Sequence, residues 1–249
     1  MNTLTLHSLS TISIWYAEAQ EQGAVILIDK DIEWTSFDVV AKLRRILRIK
    51  KIGHAGTLDP LATGLLIVCI GRPATKLITE YQNSSKTYHT TIKLGASTAS
   101  LDAETPETVF AQIPNEITTD VIQQIMQEFI GEIDQIPPMY SALKKNGIPL
   151  YRQARKGIKE EIQPRTISIH KLDLIDFDGT YLSFSVQCSK GTYIRSLARD
   201  IAEKLGTVGY ITELRRISSG EYLVSDAISI SEFEQAFNIA TSDISISHS

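Results

Sequence analysis

Asp59 stands inside a stretch whose residue types suit a reactive loop: Gly53-His54-Ala55-Gly56-Thr57-Leu58-Asp59-Pro60-Leu61-Ala62-Thr63-Gly64. Three glycines and one proline in twelve positions oppose a continuous helix or a paired strand. Pro60 disfavours helical backbone at Asp59, so the carboxylate is shown from an extended or turning chain. The apolar run Leu65–Ile70 that follows reads as a buried strand bounded by Gly64 and Gly71. An acid on a stiff loop tied to a core strand is suited to nucleophilic or ion-stabilising work. Asp before Pro is equally a common helix start, with Asp as cap. The residues of this step alone leave both readings open.

Other candidates lie along the chain. Lys190-Gly191-Thr192-Tyr193-Ile194-Arg195 offers an arginine at a helix start. An arginine against a carboxylate would keep it ionised and fix its orientation, whereas a surface arginine is the plainer reading. Tyr88 opens an alternating run, where tyrosine is usually core. Lys42, Arg44, Arg45, Arg48, Lys50 and Lys51 cluster just upstream of the loop with no acid among them. That cluster could steer a polyanion past Asp59 or simply solvate a helix face. Residues 142–165 carry seven cations, Lys144, Lys145, Arg152, Arg155 and Lys156 among them, against two acids. No phosphate-binding glycine loop, dinucleotide fingerprint or Cys/His ligand spacing occurs, so neither metal nor cofactor is expected.

The complete string GHAGTLDPLATG resembles the signature of the TruB-type tRNA pseudouridine-55 synthases. Further strings match the same family: Lys86-Thr87-Tyr88, the pattern from Leu94-Gly95 to Asp102, PPMYSALK at 137–144, and KGTYIR at 190–195. The resemblance covers about residues 23 to 225 and implies the pseudouridine-synthase fold, an α+β mixed and largely antiparallel sheet flanked by helices and loops. It implies that Asp59 is catalytic, that Arg195 pairs with it, and that Tyr88 stacks on the target base. It places Tyr193 and Leu214 against the flipped uracil and His54 in the RNA contact. Asp102 receives no firm role. The basic stretch at about 136–165 corresponds to a thumb insertion that clamps stem-loop RNA and tends to order on binding. The implied partner is the T-arm stem-loop of tRNA. The implied reaction is an isomerisation of a uridine extruded from its stack, with no cofactor. Two departures stand out: Asp31 where Asp-Lys-Pro is usual, and an acidic segment at 229–249 where a PUA domain is common.

Elements must position these residues. Ala24–Asp29 reads as a buried strand, and Thr35 or Ser36 as the cap of a helix to about Ile49. Residues 103–117 read as a loop; Thr119 caps a helix stopped by Gly131. Runs 166–177 and 181–188, with Asp178-Gly179 between them, read as a hairpin. A helix to about Leu205 follows Arg195, and a short amphipathic helix carries Ile230, Phe233 and Phe237. The expected organisation is an N-terminal extension at 1–22, poorly ordered, a catalytic domain at 23–228, and a short C-terminal segment.

Composition sets the bounds. At 249 residues, 43% hydrophobic and 22% charged, the chain is an ordinary globular protein with room for a sizeable core. No run approaches bilayer-spanning length, and no secretory pattern opens the chain. Cys69 and Cys188 fall in apolar runs and read as buried reduced thiols, so a cytoplasmic monomer without an obligate protein partner is expected. The net charge of −4 hides an uneven distribution. Residues 42–220 keep 24 cations against 18 acids, a local +6, and RNA affinity follows local cation density. A tRNA-binding or tRNA-folding module without catalysis is the alternative function. A glycosidase-like hydrolase is a third, disfavoured because no second catalytic carboxylate is evident in the matched strings.

Overall fold

The computed structural model describes residues 1–145, 147–158 and 160–246; Lys159 of the basic stretch and the last three residues lie outside it. Two units divide the chain, Met1–Lys86 with Arg215–Ser249, and Thr87–Leu214.

The first unit begins with β1 (Thr3–Leu4), α1 (Ile12–Glu21), β2 (Ala24–Lys30) and α2 (Ser36–Leu47). It continues with β3 (Ile52–His54), β4 (Thr63–Ile70), α3 (Gly71–Lys76) and α4 (Ile78–Asn83). Strands β2 and β4 are continuous apolar runs, and they pair antiparallel from Ala24↔Ile70 to Lys30↔Gly64. Helix α2 starts where its sequence says it should. Thr35 Oγ1 accepts from the Asp38 N–H at 3.1 Å and Asp38 Oδ2 accepts from the Thr35 N–H at 2.8 Å, a reciprocal cap. Its Val39, Val40, Leu43 and Leu47 are buried.

The N-terminal segment corrects an expectation. Residues 1–22 are not a loose extension: β1 pairs parallel with β2, and Trp15 of α1 is 1% exposed. Its indole donates to the Val25 carbonyl at 3.1 Å. This order depends on tertiary partners that no local pattern announces.

The second unit holds β5 (Lys86–Leu94), whose first residue belongs to the first unit, β6 (Ala96–Thr98), β7 (Glu107–Phe110) and α5 (Thr119–Gln127). Then come β8 (Gly131–Gln135), β9 (Lys144–Lys145), β10 (Ile148–Pro149) and α6 (Leu150–Ala154). Last are β11 (Arg165–Phe177), β12 (Tyr181–Cys188) and α7 (Ile194–Lys204). Strand β13 (Gly209–Ser219) passes from this unit back into the first, which closes with β14 (Tyr222–Leu223) and α8 (Ile230–Ile246). The expected hairpin is β11–β12, with antiparallel pairs from Ile169↔Cys188 to Phe177↔Leu182, and β8 pairs antiparallel on the other side of β11. Residues 103–117 are not all loop, because β7 pairs antiparallel with β6. Helix α5 is capped one residue earlier than expected, by Thr118. Among the strand pairs whose register is described, β1–β2 and β4–β13 are parallel and the others antiparallel. The class is α+β with a mixed, largely antiparallel sheet. Cys69 and Cys188 are buried and free, and burial pushes the Cys69 thiol up to about 12. No helix among the described residues is long and apolar enough to cross a membrane.

Candidate active site

The Asp59 loop links β3 to β4, and it is held on three sides by its own unit. On the strand side, His54 pairs with Val68, and the Ala55 N–H donates to the Ile67 carbonyl at 2.9 Å. On the helix side, Ser36 Oγ accepts from the Leu58 N–H at 2.9 Å and donates to the Leu58 carbonyl at 3.3 Å. On the third side, the Glu33 N–H donates to the Pro60 carbonyl at 2.9 Å. Within the loop the Ala62 N–H donates to the Asp59 carbonyl at 3.0 Å, the turn that Pro60 favours. Asp59 is half-buried, fixed by main-chain bonds before and after it.

Two buried cations that sequence reasoning missed lock this loop. Arg216, 1% exposed, donates from Nε to the Leu65 carbonyl at 2.6 Å and from Nη2 to the Gly56 carbonyl at 3.3 Å. It thereby ties the loop's start to its end. Gly64 makes this possible: a Cβ there would sit 2.4 Å from the Arg216 carbonyl oxygen, and its φ is +96°. Lys30 is fully buried and donates to the carbonyls of Asp31 (2.9 Å), Trp34 (2.6 Å) and Pro60 (3.5 Å). Burial lowers its pKa to about 8, while the Asp31 and Asp59 carboxylates pull it back up. Next to it, Arg215 makes a bidentate pair with Asp29 at 2.9 and 2.6 Å. Nothing in composition distinguishes these cations from surface ones.

His54 ends β3. Its ring meets that of Phe37 edge-on, with centroids 5.5 Å apart and planes at 89°. Burial first, and the Arg216 charge second, hold its pKa below the usual imidazole value, so the ring is neutral at pH 7. Its Nδ1 is buried with no hydrogen-bond partner.

In the second unit, three of the family-like strings meet at Arg195. The guanidinium donates from Nη1 to the Ser100 carbonyl at 2.9 Å and from Nη2 to the Tyr140 carbonyl at 2.8 Å. Nη1 lies 3.4 Å from Asp102 Oδ2, with both side chains almost fully buried. Asp102, left without a role by the sequence, is itself fixed: Oδ1 accepts from Ser100 Oγ at 2.5 Å and from the Glu104 N–H at 3.0 Å. Gln135 is the other residue that sequence missed. Its buried amide clasps the Tyr193 main chain from both sides, accepting from the N–H at 2.8 Å and donating to the carbonyl at 3.1 Å. Ser196 Oγ adds a bond to the Ile136 carbonyl at 2.8 Å. The start of α7, and with it Tyr193 and Arg195, is thus pinned to the end of β8. Tyr88 lies half-buried on β5. Thr90 Oγ1 donates to the Glu213 carbonyl and Thr212 Oγ1 to the Thr91 carbonyl, so β5 and β13 run in opposite directions. Tyr88 and Leu214 therefore lie toward the same end of that strand pair. Asp59 and His54 belong to the first unit, and Tyr88, Tyr193, Arg195 and Leu214 to the second.

The basic candidates divide. Lys42 pairs with Glu234 of α8 at 2.6 Å, so its charge is already met. Arg45, Arg48, Lys50 and Lys51 are exposed. In the basic stretch, Lys145 pairs with Glu160 and Arg155 with Glu104, at 2.6 and 3.2 Å. Lys144, Arg152 and Lys156 are exposed, and Arg152 and Arg155 both lie against the Tyr151 ring.

Comparison with known proteins agrees over most of the chain. Residues 44–194 match the model of the TruB family pseudouridylate synthase N-terminal domain, and residues 195–246 that of the tRNA pseudouridylate synthase B C-terminal domain. The chain is 45% identical over 215 residues to tRNA pseudouridine synthase B of Dechloromonas aromatica, covering 86% of this chain and 71% of that protein. It is 45% identical over 223 residues to the protein of the same name from Flavobacterium johnsoniae, covering 86% of this chain and 96% of that one. Among solved structures, a chain in a Cbf5-Nop10-Gar1 complex matches with a TM-score of 0.72 and 28% identity, over 92% of this chain. This chain spans 58% of that one.

Proposed function

Because this chain belongs to the TruB family of pseudouridylate synthases, we infer that it is a tRNA pseudouridine synthase, an isomerase acting on uridine in tRNA. The finer reading is that its target is the T-loop uridine at tRNA position 55. The single observation that best supports a catalytic site is the convergence at Arg195: strings around 100, 140 and 195, far apart in sequence, supply one buried guanidinium with fixed acceptors. A charge held so rigidly serves as a preorganised counter-charge for a reacting carboxylate.

The chemistry follows from the groups. A uridine in a folded loop must leave its stack before its glycosidic bond can be reached. Tyr88 is assigned to stack on the extruded base, with Tyr193 and Leu214 as pocket walls, while His54 occupies the space that the base vacates. Asp59, with Arg195 assigned as its counter-charge, acts at the sugar or base while the C1′–N1 bond breaks. The uracil turns, C1′–C5 forms, the proton from C5 leaves to solvent, and N1, freed from the sugar, takes up one proton in exchange. Atoms are conserved and no oxidant or reductant is consumed. Arg45, Arg48, Lys50 and Lys51, with Lys144, Arg152 and Lys156, are assigned to phosphates of the T arm. The protein is taken to act as a cytoplasmic monomer.

Tritium release from tRNA labelled at uridine C5 tests the reading. Wild type should release label stoichiometrically with the target uridine. Asp59→Asn should lower release by at least about 1,000-fold while changing tRNA affinity by less than about threefold. Undiminished release by the variant would remove Asp59 from the mechanism, and wild type that binds tRNA without releasing label would leave only the binding module.

A further inference from the structure

We propose that Phe37 is a stacking site for one unpaired nucleobase of the substrate RNA, separate from the pocket that takes the target uracil. This rests on the RNA-modifying reading above.

Phe37 is 70% exposed, the highest value among the large hydrophobic residues whose exposure is described. Exposure alone would not mark it, since single apolar residues are common at surfaces; its position and its support do. Its place is set by main-chain chemistry. Phe37 directly follows Ser36, and Asp59 directly follows Leu58; Ser36 and Leu58 are joined by two hydrogen bonds. The ring therefore stands within a residue's reach of the acid's own anchor. It is also braced, because the His54 ring meets it edge-on. A braced aromatic loses little freedom when a base stacks on it, which is what a stacking platform needs.

The surroundings select a base over a phosphate. Asp31, Glu33 and Asp38, the nearest acids along the chain, are all exposed, no Lys or Arg falls between 31 and 41, and Lys30 just before is buried. Lys30 spends its protons on main-chain carbonyls, and His54 is neutral. A phosphate placed here would meet three carboxylates close along the chain, and the phenyl ring itself offers it no donor. A neutral π-face would meet the Phe37 ring. An unpaired base of the RNA loop offers such a face on its own, without disrupting a helix.

Affinity and turnover on tRNA, measured for wild type, Phe37→Ala, Phe37→Leu and Phe37→Trp, read this site. Phe37→Ala should weaken tRNA binding and raise KM by about 5- to 100-fold, with kcat at saturation within about twofold. Phe37→Trp should bind as tightly as wild type or tighter, and Phe37→Leu nearly as poorly as Ala. A series of tRNAs with one abasic nucleotide at each T-loop position in turn then finds the partner. One position should cost wild type the same factor and cost Phe37→Ala nothing further. Equal affinity of wild type and Phe37→Ala overturns the proposal and returns the ring to a protein contact. So does Phe37→Leu behaving as wild type, or a loss coupled to no single position. Unfolding midpoints should match across the variants, because the ring is at the surface. The outcomes separate from those of the parent reading: wild type without tritium release, yet with Phe37-dependent binding, defeats the isomerase and keeps the stacking site.

Discussion

Asp102 illustrates how a buried acid can be built to hold another side chain. Its carboxylate is satisfied by Ser100 Oγ and the Glu104 N–H, and it faces the Arg195 guanidinium at 3.4 Å. The residue before it, Leu101, has φ +63°, a left-handed conformation that costs a leucine about 1–2 kcal/mol. Surroundings that hold such strain hold Asp102 in place. Its contacts suit it to aiming Arg195, and this is the expectation that a substitution tests. Asp102→Asn keeps the shape and removes the charge, so the guanidinium loses one fixed acceptor and turns. The expected result is a fall in kcat of about 100-fold with little change in KM for tRNA, since misplacement of a positioned group by about 1 Å costs that much. Single-turnover rates beside binding constants would decide it. An unchanged kcat would make Asp102 a purely structural acid. Sequence could not assign this role, because an acid that orients through a turn has no signature spacing. The same holds for Gln135, whose partner is the main chain of Tyr193.

At the scale of elements, the Asp59 loop is a strand connection clamped by side chains from its neighbours. Its conformation owes most to Arg216 and Lys30, which satisfy carbonyls that a loop this irregular would otherwise leave bare. The turn before α2 supplies another anchor through the Glu33 N–H, and it does so under strain, with Glu33 at φ +68°. Glycine adopts this conformation freely and keeps the N–H. Glu33→Gly should therefore stabilise the protein by up to about 1 kcal/mol, the relief of strain being partly offset by added freedom in the unfolded chain. Urea unfolding would measure it, with tritium release unaltered; a lower midpoint would mean that the glutamate side chain makes a contribution larger than its strain. The elements themselves were legible where a pattern carried them. β2 and β4 are unbroken apolar runs, α2 has a cap and a stripe, and β11–β12 alternates around an Asp-Gly turn. β7 was not legible, because three of its four residues are exposed and neither face gives a period to read.

For the molecule as a whole, the N-terminal segment matters more than its composition promised. Trp15 touches Phe233 of α8 edge-on at 6.1 Å, and Tyr16 touches Phe237 at 4.9 Å. Residues more than 200 positions apart thus share one apolar contact, beyond the reach of any local reading of either segment. The contact also bears on the site. The Trp15 indole donates to Val25 of β2, β1 pairs along that strand, and β2 ends at Lys30, which holds the Pro60 carbonyl. The chain's first turn of order therefore supports the frame on which the reactive loop hangs. Trp15→Ala should cost about 3–5 kcal/mol, as removal of a fully buried indole does. Trp15→Phe keeps much of the packing and gives up the hydrogen bond, so it should cost about 1–2 kcal/mol. Chemical unfolding of both variants gives the comparison. Because the loop is anchored through β2, the Ala variant should also lose activity at temperatures below its unfolding midpoint, where wild type remains fully active. A Trp15→Ala protein as stable as wild type would show that the segment merely rests on the fold.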